Sequence, residues 1–364
     1  MYLYFMTKNP HKSGYVSIVG NPNVGKSTLV NALMGRNLSI TTPKAQTTRH
    51  RILGLVNGAN YQLVLSDSPG IIQPAYELQN SMMDAVKESL VDADVLIYMI
   101  SIEASKVKDE KLVERIKKSK IPLLVLINKI DLSSQNELES VVEQWSEEFP
   151  NAKVIPIAAL TKFFIPELLE MLIALLPESP PYFPKDQLSD KPERFFVNEA
   201  IRKSILQYYD KEVPYAVEVI SESFKEEEKI IKIRAVIIVE RDTQKGIIIG
   251  HKGEKLKKVG INARKDLTSF FGKKIHLELY VKVVKNWRTN PQQLKRFGYQ
   301  HELNHNILDN AYITNHGDYD IYLIQYFSYD AYALRAMFEP FYLPEGVNLY
   351  FYNNDMTQLE GAYT

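Results

Sequence analysis

The stretch "GNPNVGKST" at residues 20–28 decides the fold of the first half of this chain. It matches the pattern G-x-x-x-x-G-K-[ST] and lies between a β-rich run, "YVSIVG", and a helical run, "KSTLVNALMG". In this context the backbone N–H groups of the loop surround phosphate oxygens, and the following helix adds the positive end of its dipole. The sequence therefore predicts a loop that holds the phosphates of a nucleoside triphosphate.

Every residue of this phosphate loop is a predicted contact to the nucleotide. The two glycines at its ends permit backbone conformations and a close approach that a Cβ would hinder. Lys26 is predicted to reach the β- and γ-phosphates, and Ser27 to give Mg²⁺ a hard oxygen ligand. A glycine turn without function is the plain alternative, and the flanking strand and helix argue against it. The predicted loop residues are Gly20, Asn21, Pro22, Asn23, Val24, Gly25, Lys26, Ser27 and Thr28.

A second motif, "NKID" at residues 128–131, ends an apolar strand and predicts guanine as the base. Guanine presents N1–H and N2–H₂ as neighbouring donors, and the carboxylate of Asp131 can accept both. Adenine offers the opposite polarity and would leave a buried acid unpaired. Asn128 is predicted to tie this loop to the phosphate loop, and the stem of Lys129 to cover one face of the ring.

A third motif, "DSPG" at residues 67–70, also ends a strand. Asp67 is predicted to orient Mg²⁺ through water, and the N–H of Gly70 to sense a γ-phosphate. Ser68 and Pro69 complete this predicted contact to the nucleotide.

The polar stretch "TTPKAQTTRHR" at residues 41–51 is long enough to move and is typical of a switch segment. A threonine in it could close over Mg²⁺ only when the third phosphate is present. Thr48 is the preferred candidate and Thr47 the alternate. The predicted metal ligands are Ser27, Thr48 and Asp67.

The pattern around these motifs predicts the architecture. From residue 13 to 176, near-continuous apolar strands such as "DVLIYMIS" alternate with amphipathic helices, which indicates an α/β domain with a mainly parallel sheet. Residues 177–193 are rich in proline and polar residues and are typical of a linker. Residues 194–299 follow an α-β-β-α-α-β order, and residues 300–364 form a separate extension.

The second domain contains another glycine loop, "IIIGHKGEKL" at residues 247–256. A G-x-x-G loop between two helices lets a KH domain clamp about four nucleotides of single-stranded backbone. A turn between helices is the plain alternative, but thirteen Lys and Arg against four Asp and Glu between residues 241 and 288 favour RNA. The two isoleucines directly before the loop are predicted to form the floor of the groove on which the bases rest. The predicted RNA contacts are Ile248, Ile249, Gly250, His251, Lys252, Gly253, Lys255, Lys257 and Lys258.

Residues 14 to about 299 resemble the Era family of GTPases, which assist assembly of the small ribosomal subunit. The resemblance rests on "GNPNVGKSTLVNAL", "KAQTTRHRI", "DSPG", "NKID", "RFFVNEAIR", "EVPYAVEV", "ERDTQKGIIIGHKG" and "VKVVKNWR". It implies an α/β P-loop GTPase domain with a mainly parallel sheet, then an α+β type II KH domain. Beyond the resemblance, "DYDIYLIQYFS" and "VNLYFYNN" are typical of strands and "DAYALRAMF" of a helix, so the short C-terminal extension is expected to be α+β.

The resemblance also implies what the protein does and where. It implies hydrolysis of GTP to GDP and phosphate with Mg²⁺, and binding of 16S rRNA during biogenesis of the 30S subunit. The family suggests the 3′ end of that rRNA and peripheral association with the inner face of the cell membrane. A cytoplasmic monomer is expected.

Three comparisons with related GTPases bear on the chemistry. Ile71 and Ile72 stand where Ras-like GTPases place a water-orienting glutamine, so unaided hydrolysis is expected at about 10⁻⁴ to 10⁻² s⁻¹. Asn23 is similar to the residue with which some related GTPases use a potassium ion, which adds K⁺ to the implied cofactors. Ala158 replaces a serine on the guanine side, and the Ala159 N–H is expected to meet guanine O6. The predicted catalytic residues are Lys26, Thr48, Gly70 and Asn23.

Composition limits the remaining classes. The 364 residues contain no cysteine, which excludes disulfides and thiolate metal sites and fits a reducing compartment. The longest apolar run, "DVLIYMISI", is too short to cross a bilayer. The first residues show no signal peptide, and Met6 is an alternative start to Met1.

Residues 300–364 lie beyond the family pattern and carry nine acids against Arg335 alone. This acidic, tyrosine-rich extension could fold as a small appendage, dock on the basic face of the KH domain, or contact another protein. Within it "HELNH" at 301–305 matches the zinc motif H-E-x-x-H, with Glu302 as base and His316 as third ligand. A polar helix is the favoured interpretation of that motif.

Two other functions compete with a GTPase. A non-catalytic switch would bind GTP and RNA with hydrolysis incidental. A P-loop ATPase or kinase would share the phosphate loop, but "NKID" argues against it.

Overall fold

The computed structural model describes residues 11–44, 47–72, 77–103 and 110–287, and four short strands near the C-terminus. The chain divides into two compact units, Met1–Tyr299 and Gln300–Thr364. Within the described residues no helix is long and apolar enough to cross a membrane.

The first domain is built on a six-stranded sheet. Its strands are β1 Lys12–Gly20, β2 Ile52–Asn57, β3 Tyr61–Asp67, β4 Val95–Ser101, β5 Leu123–Asn128 and β6 Lys153–Pro156. Its helices are α1 Lys26–Met34, α2 Glu77–Val91, α3 Glu110–Lys117, α4 Gln135–Glu148 and α5 Ile165–Leu175. The strand order is β2-β3-β1-β4-β5-β6, with β2 antiparallel to β3 and the other pairs parallel.

Parallel pairing brings the predicted motifs to one edge of the sheet. Strands β1, β3 and β5 end at Gly20, Asp67 and Asn128, and the register places Ile18 opposite Asp67. In open α/β sheets, ligands bind at this carboxyl edge.

The core lies on both faces of the sheet. On one face α1 and α5 bury Leu29 and Leu168 completely, and on the other α4 buries Trp145. All seven residues of β4 are buried. The near-continuous apolar strands predicted from the sequence are therefore confirmed, because both faces of this sheet are covered.

The stretch predicted to be a linker lies along the edge of the first domain. The N–H of Leu55 in β2 donates to Leu188 O at 3.0 Å, so the stretch pairs with an otherwise open edge strand. The buried side chain of Gln62 donates to Phe183 O at 2.8 Å and accepts from the N–H of Tyr182 at 2.7 Å. These residues are thus a fixed part of the domain surface.

The second domain has the predicted α-β-β-α-α-β order. Its elements are α6 Glu193–Tyr208, β7 Glu218–Glu226, β8 Ile230–Val239, α7 Asp242–Ile249, α8 Glu254–Phe271 and β9 Lys274–Val283. The sheet order is β7-β8-β9, with β7 antiparallel and β9 parallel to β8. Its core joins the sheet to α6 and α8 through residues such as Ile201, Ile237 and Val259. Trp287 covers part of the opposite face and is almost fully buried.

The C-terminal unit contains two antiparallel strand pairs. They are β10 Tyr312–Asn315 with β11 Asp320–Leu323, and β12 Leu349–Tyr352 with β13 Leu359–Tyr363. Strands predicted in "DYDIYLIQYFS" and "VNLYFYNN" are confirmed at β11 and β12. The helix predicted at "DAYALRAMF", the "HELNH" motif and His316 lie outside the described residues.

A buried ion pair in α6 should dominate the local stability of the second domain. The Nε of Arg202 donates to Glu199 Oε1 at 2.8 Å, and the two side chains are 2% and 8% exposed. Glu199→Ala leaves the buried guanidinium of Arg202 without its ionic partner, so this change should lower the free energy of unfolding by about 3–5 kcal/mol. Denaturant unfolding of the full chain would measure this.

The matched control is Lys203→Ala on the same helix, which breaks a more exposed pair with Asp266. That change should cost at most about 1 kcal/mol. Equal losses in the two variants would contradict the importance of burial. The double variant Glu199→Leu/Arg202→Met should recover much of the loss.

Candidate nucleotide and nucleic-acid sites

The phosphate loop connects β1 to α1 in a conformation that requires its glycines. A Cβ on Gly20 would lie 2.1 Å from Met99 O. Gly25 has φ 103°, and a Cβ there would lie 2.3 Å from Asn128 Nδ2. Both positions therefore exclude larger residues, by backbone conformation or by close approach.

Lys26, the first residue of α1, is buried and folds back onto the loop. Its Nζ donates to Gly20 O at 3.1 Å and to Asn21 O at 3.0 Å. Burial lowers the pKa of Lys26 to about 8, and the negative charge of Asp67 opposes that shift. A phosphate placed at the loop would give this ammonium a better partner than neutral carbonyl oxygens.

Three predicted metal ligands lie at the mouth of the loop. The hydroxyls of Ser27 and Thr48 are 2.9 Å apart. Asp67 is fully buried, and neither of its carboxylate oxygens has a partner at ordinary hydrogen-bond geometry in the described part of the chain. Burial raises the pKa of this carboxyl, while the nearby hydroxyls of Ser39 and Ser27 and the charge of Lys26 act against that shift.

This donor set fits a hard divalent cation. Mg²⁺ is usually bound through one or two carboxylates together with substrate phosphates, so a dedicated cage is not required. Accordingly, residues 11–44, 47–72, 77–103 and 110–287 contain no group of three or more His, Cys, Asp or Glu suited to a metal. An orphaned buried carboxylate beside two hydroxyls is what such a cation would satisfy.

The structure distinguishes the two threonines of the switch segment. The hydroxyl of Thr47 is hydrogen-bonded to Thr42 Oγ1 at 2.7 Å and to Lys44 O at 2.6 Å. Thr48 instead contacts Ser27, so it is the threonine placed at the phosphate loop. The side chain of Asn23 joins the same segment by donating to Pro43 O at 3.1 Å.

The segment after β3 packs directly on the phosphate loop. A Cβ on Gly70 would lie 2.8 Å from Pro22 Cα, and the N–H of Ile71 donates to Gly20 O at 3.1 Å. The side chain of Ile71 is fully buried in the core. It therefore presents nothing that could hold a water molecule at the nucleotide.

Asn128 ties the predicted guanine loop to the phosphate loop, as the sequence predicts. Its Nδ2 donates to Val24 O at 2.8 Å, and its Oδ1 accepts from the N–H of Ala159 at 2.9 Å. The Ala159 N–H expected at guanine O6 is thus engaged by Asn128 in this structure. Ala158 is buried, and its N–H donates to Phe163 O at 3.4 Å.

Beyond Asn128 the chain turns outward. Lys129 adopts φ 66°, and its Nζ lies 3.4 Å from Glu103 Oε2. Asp131 is exposed in a short 3₁₀ turn, Ile130–Leu132, where its carboxylate is open to a ligand.

The switch segment also contacts the second domain, which the sequence did not predict. Arg49 donates to Val217 O at 2.8 Å, to Tyr215 O at 3.1 Å and to Glu218 Oε2 at 3.1 Å. The partners are separated from Arg49 by more than 160 residues, so no local pattern could reveal them.

Two further contacts join the same surfaces. The Nζ of Lys44 donates to the backbone oxygen of Tyr209 and to Asp210 Oδ1, the latter at 2.9 Å. The guanidinium of Arg202 donates to Thr47 O. The residues on either side of Thr48 are therefore held by the second domain.

The second glycine loop projects between α7 and α8. Gly250 has φ 72°, Lys252 φ 47° and Gly253 φ 78°. In the described part of the chain no atom lies within 4 Å of a Cβ placed on Gly253, so a side chain there would meet open space. His251 and Lys252 are exposed, and α8 begins directly after the loop. The loop thus offers bare backbone and a helix N-terminus to a phosphate.

The prediction that the side chain of Ile248 forms the floor of the RNA groove is wrong. Its side chain is fully buried in the core of the second domain, and its carbonyl accepts from the hydroxyl of Tyr209 at 2.6 Å. Successive residues on a helix point about 100° apart, so the three isoleucines at 247–249 cannot all face solvent. Ile247 is 44% exposed and Ile249 is half-buried.

Comparisons with known proteins agree with this organisation. The family described as "50S ribosome-binding GTPase" matches residues 15–129, and the KH domain family matches residues 212–288. The GTPase Era of Geotalea daltonii is 43% identical over 297 residues, which cover 81% of this chain and all of that protein. The GTPase Era of Geotalea uraniireducens is 41% identical over the same shares.

Solved structures show the same likeness. A crystal structure of Era in complex with MgGDPNP and nucleotides 1506–1542 of 16S ribosomal RNA matches with TM-score 0.75 and 38% identity. The match covers 79% of this chain and 99% of that one. A variant of Aquifex aeolicus Era bound to GDP·AlF₄⁻ matches with the same TM-score, identity and coverage. By sequence and by fold, this chain belongs to the Era family of GTPases.

Proposed function

We propose that this protein binds and hydrolyses GTP at the phosphate loop, binds 16S rRNA through its KH domain, and assists biogenesis of the 30S subunit. The GTP-binding part of this proposal rests on one observation. The hydroxyls of Ser27 and Thr48 and the buried carboxylate of Asp67 lie together at the phosphate loop. The RNA half is supported by the exposed G-x-x-G loop and by the relative that was crystallised with a 16S rRNA fragment.

Catalysis at this site is positioning and electrostatics. Water attacks the γ-phosphorus, and the bond to the β–γ bridging oxygen breaks. Lys26 and the loop N–H groups stabilise the charge that develops. Ser27, Thr48 and Asp67 would hold Mg²⁺, which would neutralise phosphate charge. Asn23 would take part in holding K⁺, and the N–H of Gly70 would contact the γ-phosphate.

The remaining predicted contacts complete the proposal. Guanine is read by Asp131 and covered by Lys129, while Asn128 holds the base loop in place. RNA backbone is clamped by Gly250, His251, Lys252 and Gly253, with charge from Lys255, Lys257 and Lys258. We further propose a cytoplasmic monomer that binds the 30S subunit and associates peripherally with the inner face of the membrane.

Replacing one carboxylate oxygen of Asp131 by an amide nitrogen should change the base that the protein prefers. Asp131→Asn replaces an acceptor by a donor, so it should weaken GTP binding at least about 100-fold. Xanthosine triphosphate, which has a carbonyl in place of the guanine amino group, should gain affinity. Nucleotide titration of the purified variant measures both.

The control is Glu103→Gln, another acid-to-amide change beside the same loop, at the partner of Lys129. It should leave the preference for GTP intact. If Asp131→Asn bound GTP as tightly as the wild type, another residue would read the base.

Charge at the G-x-x-G loop should decide RNA binding. Gly253→Asp places a carboxylate where phosphate is expected and should weaken binding of a 16S rRNA fragment more than about tenfold. Gly253→Asn is the matched control, since Asn and Asp both tolerate positive φ and have the same shape. Gly250 is unsuitable because a Cβ there would lie 2.8 Å from Lys255 Cγ. If the two variants bound RNA equally well, the loop would not hold phosphate.

We also propose that the nucleotide state alters how the KH domain is presented. The support is the set of contacts that Lys44, Thr47 and Arg49 make with the second domain. Thr48 lies within this set and is the residue expected to respond to the third phosphate.

Removal of one such contact should reduce the coupling. RNA affinity in the wild type should differ between GDP and a non-hydrolysable GTP analogue by a factor of about 5 to 150. Lys44→Ala should bring that ratio towards one, while Arg36→Ala, at an exposed position after α1, should leave it unchanged. Equal RNA affinities in the wild type would show that the domains are not coupled.

A further inference from the structure

One face of α8 carries a row of exposed side chains that extends well past the G-x-x-G loop. This α8 stripe consists of Lys257, Lys258, Ile261, Arg264 and Lys265. All five side chains are exposed, and that of Ile261 is 50% exposed. At about 100° per residue they fall within a sector of about 120°. The opposite side of the helix is buried through Val259, Ala263 and Leu267.

The cations of the α8 stripe are unpaired in the part of the chain that the structure describes. Within residues 11–44, 47–72, 77–103 and 110–287, none of the four makes an ion pair. Asp266 lies on another side of the helix and pairs with Lys203 of α6 at 2.9 Å. Glu254 shares the side of the stripe, but it lies in the first turn, where the helix dipole favours an acid.

Clustered like charges repel one another and lower stability unless something compensates. Two other exposed cations of this domain, Lys232 and Lys273, have acidic partners, Glu227 and Glu226, whereas Lys225 and Lys229 have none among the described residues. What distinguishes the α8 stripe is that four cations without an acidic partner in the described residues share one face with a single exposed isoleucine. Such a surface is suited to a polyanion with an apolar component. A nucleic-acid strand has both.

The α8 stripe continues the surface of the G-x-x-G loop. The helix begins at Glu254, directly after Gly253, and its axis from Lys257 to Lys265 spans about 12 Å. The loop of a KH domain clamps about four nucleotides. Arg264 lies about 16 Å along the helix from Gly253, well away from the backbone that the loop itself holds.

We propose that the α8 stripe binds the sugar–phosphate backbone of the RNA strand that continues beyond the clamped nucleotides. Lysine and arginine side chains without neighbouring polar partners make phosphate contacts that do not read sequence. The stripe therefore extends the footprint and makes affinity rise with RNA length, and Arg264 and Lys265 are the residues that do so. This inference rests on the proposed binding of RNA by the loop.

The test compares two RNA lengths. The long probe is the 37-nucleotide RNA that corresponds to positions 1506–1542 of 16S rRNA (1542 − 1506 + 1), the fragment bound to the relative. The short probe is the tightest-binding six-nucleotide fragment from a tiling of that RNA. Arg264→Gln/Lys265→Gln is compared with Lys225→Gln/Lys229→Gln, which removes the same charge from exposed residues on β7 and the turn after it.

The stripe variant should bind the long RNA at least about fivefold more weakly in 0.1 M salt and bind the six-mer within about twofold of wild type. Its slope of log affinity against log salt for the long RNA should fall in magnitude by about 1.4, which is two contacts at about 0.7 each. The control variant should change neither. Thermal unfolding confirms that both variants fold.

Two results would overturn the inference. Unchanged binding of the long RNA would show that the stripe does not contact it, and an equal loss on both RNAs would show that the stripe acts on the loop itself. Gly253→Asp, measured beside them, separates this failure from failure of the proposed function. If that variant retains wild-type binding of both RNAs, the loop assignment fails as well.

Discussion

The buried amide of Asn128 holds the nucleotide site together. Its two polar atoms satisfy two backbone groups, Val24 O in the phosphate loop and the N–H of Ala159 after β6. An amide can do both because it donates and accepts at once, which neither an acid nor an apolar residue can. Gly25 must lack a side chain for this contact to form. The parallel sheet brings the strand ends together, and Asn128 fixes the loops that follow them.

Two loops in this chain solve a similar problem in different environments. At the first loop, Lys26 is buried and its pKa is lowered to about 8, so a phosphate arriving there meets a desolvated, preorganised charge. At the second loop, Lys252 and His251 are exposed and screened by solvent. The first arrangement suits tight recognition of one small ligand. The second suits contacts with a long polymer, where affinity is gained by repetition along the strand.

The sequence predicted the elements well because their causes are local. The phosphate loop, "NKID" and "DSPG" each follow an apolar strand. Because these strands are parallel, their carboxyl ends bring the three motifs to one edge of the sheet. Likewise, the succession of helical and strand patterns in residues 194–299 predicted the α-β-β-α-α-β order. Failures came where the cause is distant. The neighbours of Ile248 in sequence place it in a groove, whereas its burial depends on β8, β9 and α8, against which α7 packs. The contacts that residues 177–193 make could not be predicted either, because their partners, such as Gln62, lie more than a hundred positions earlier.

The contacts between the switch segment and the second domain are of a kind that can be broken and remade. Most of their acceptors are backbone oxygens, including Val217 O, Tyr215 O and Thr47 O, while their donors are charged side chains. A hydrogen bond with one charged partner contributes about 1.5–3 kcal/mol net. A nucleotide-dependent change in one such bond would therefore be comparable to the 1–3 kcal/mol typical of coupling between sites. The proposed coupling thus requires the third phosphate, acting through Thr48, to alter only one or two of these contacts rather than to break them all.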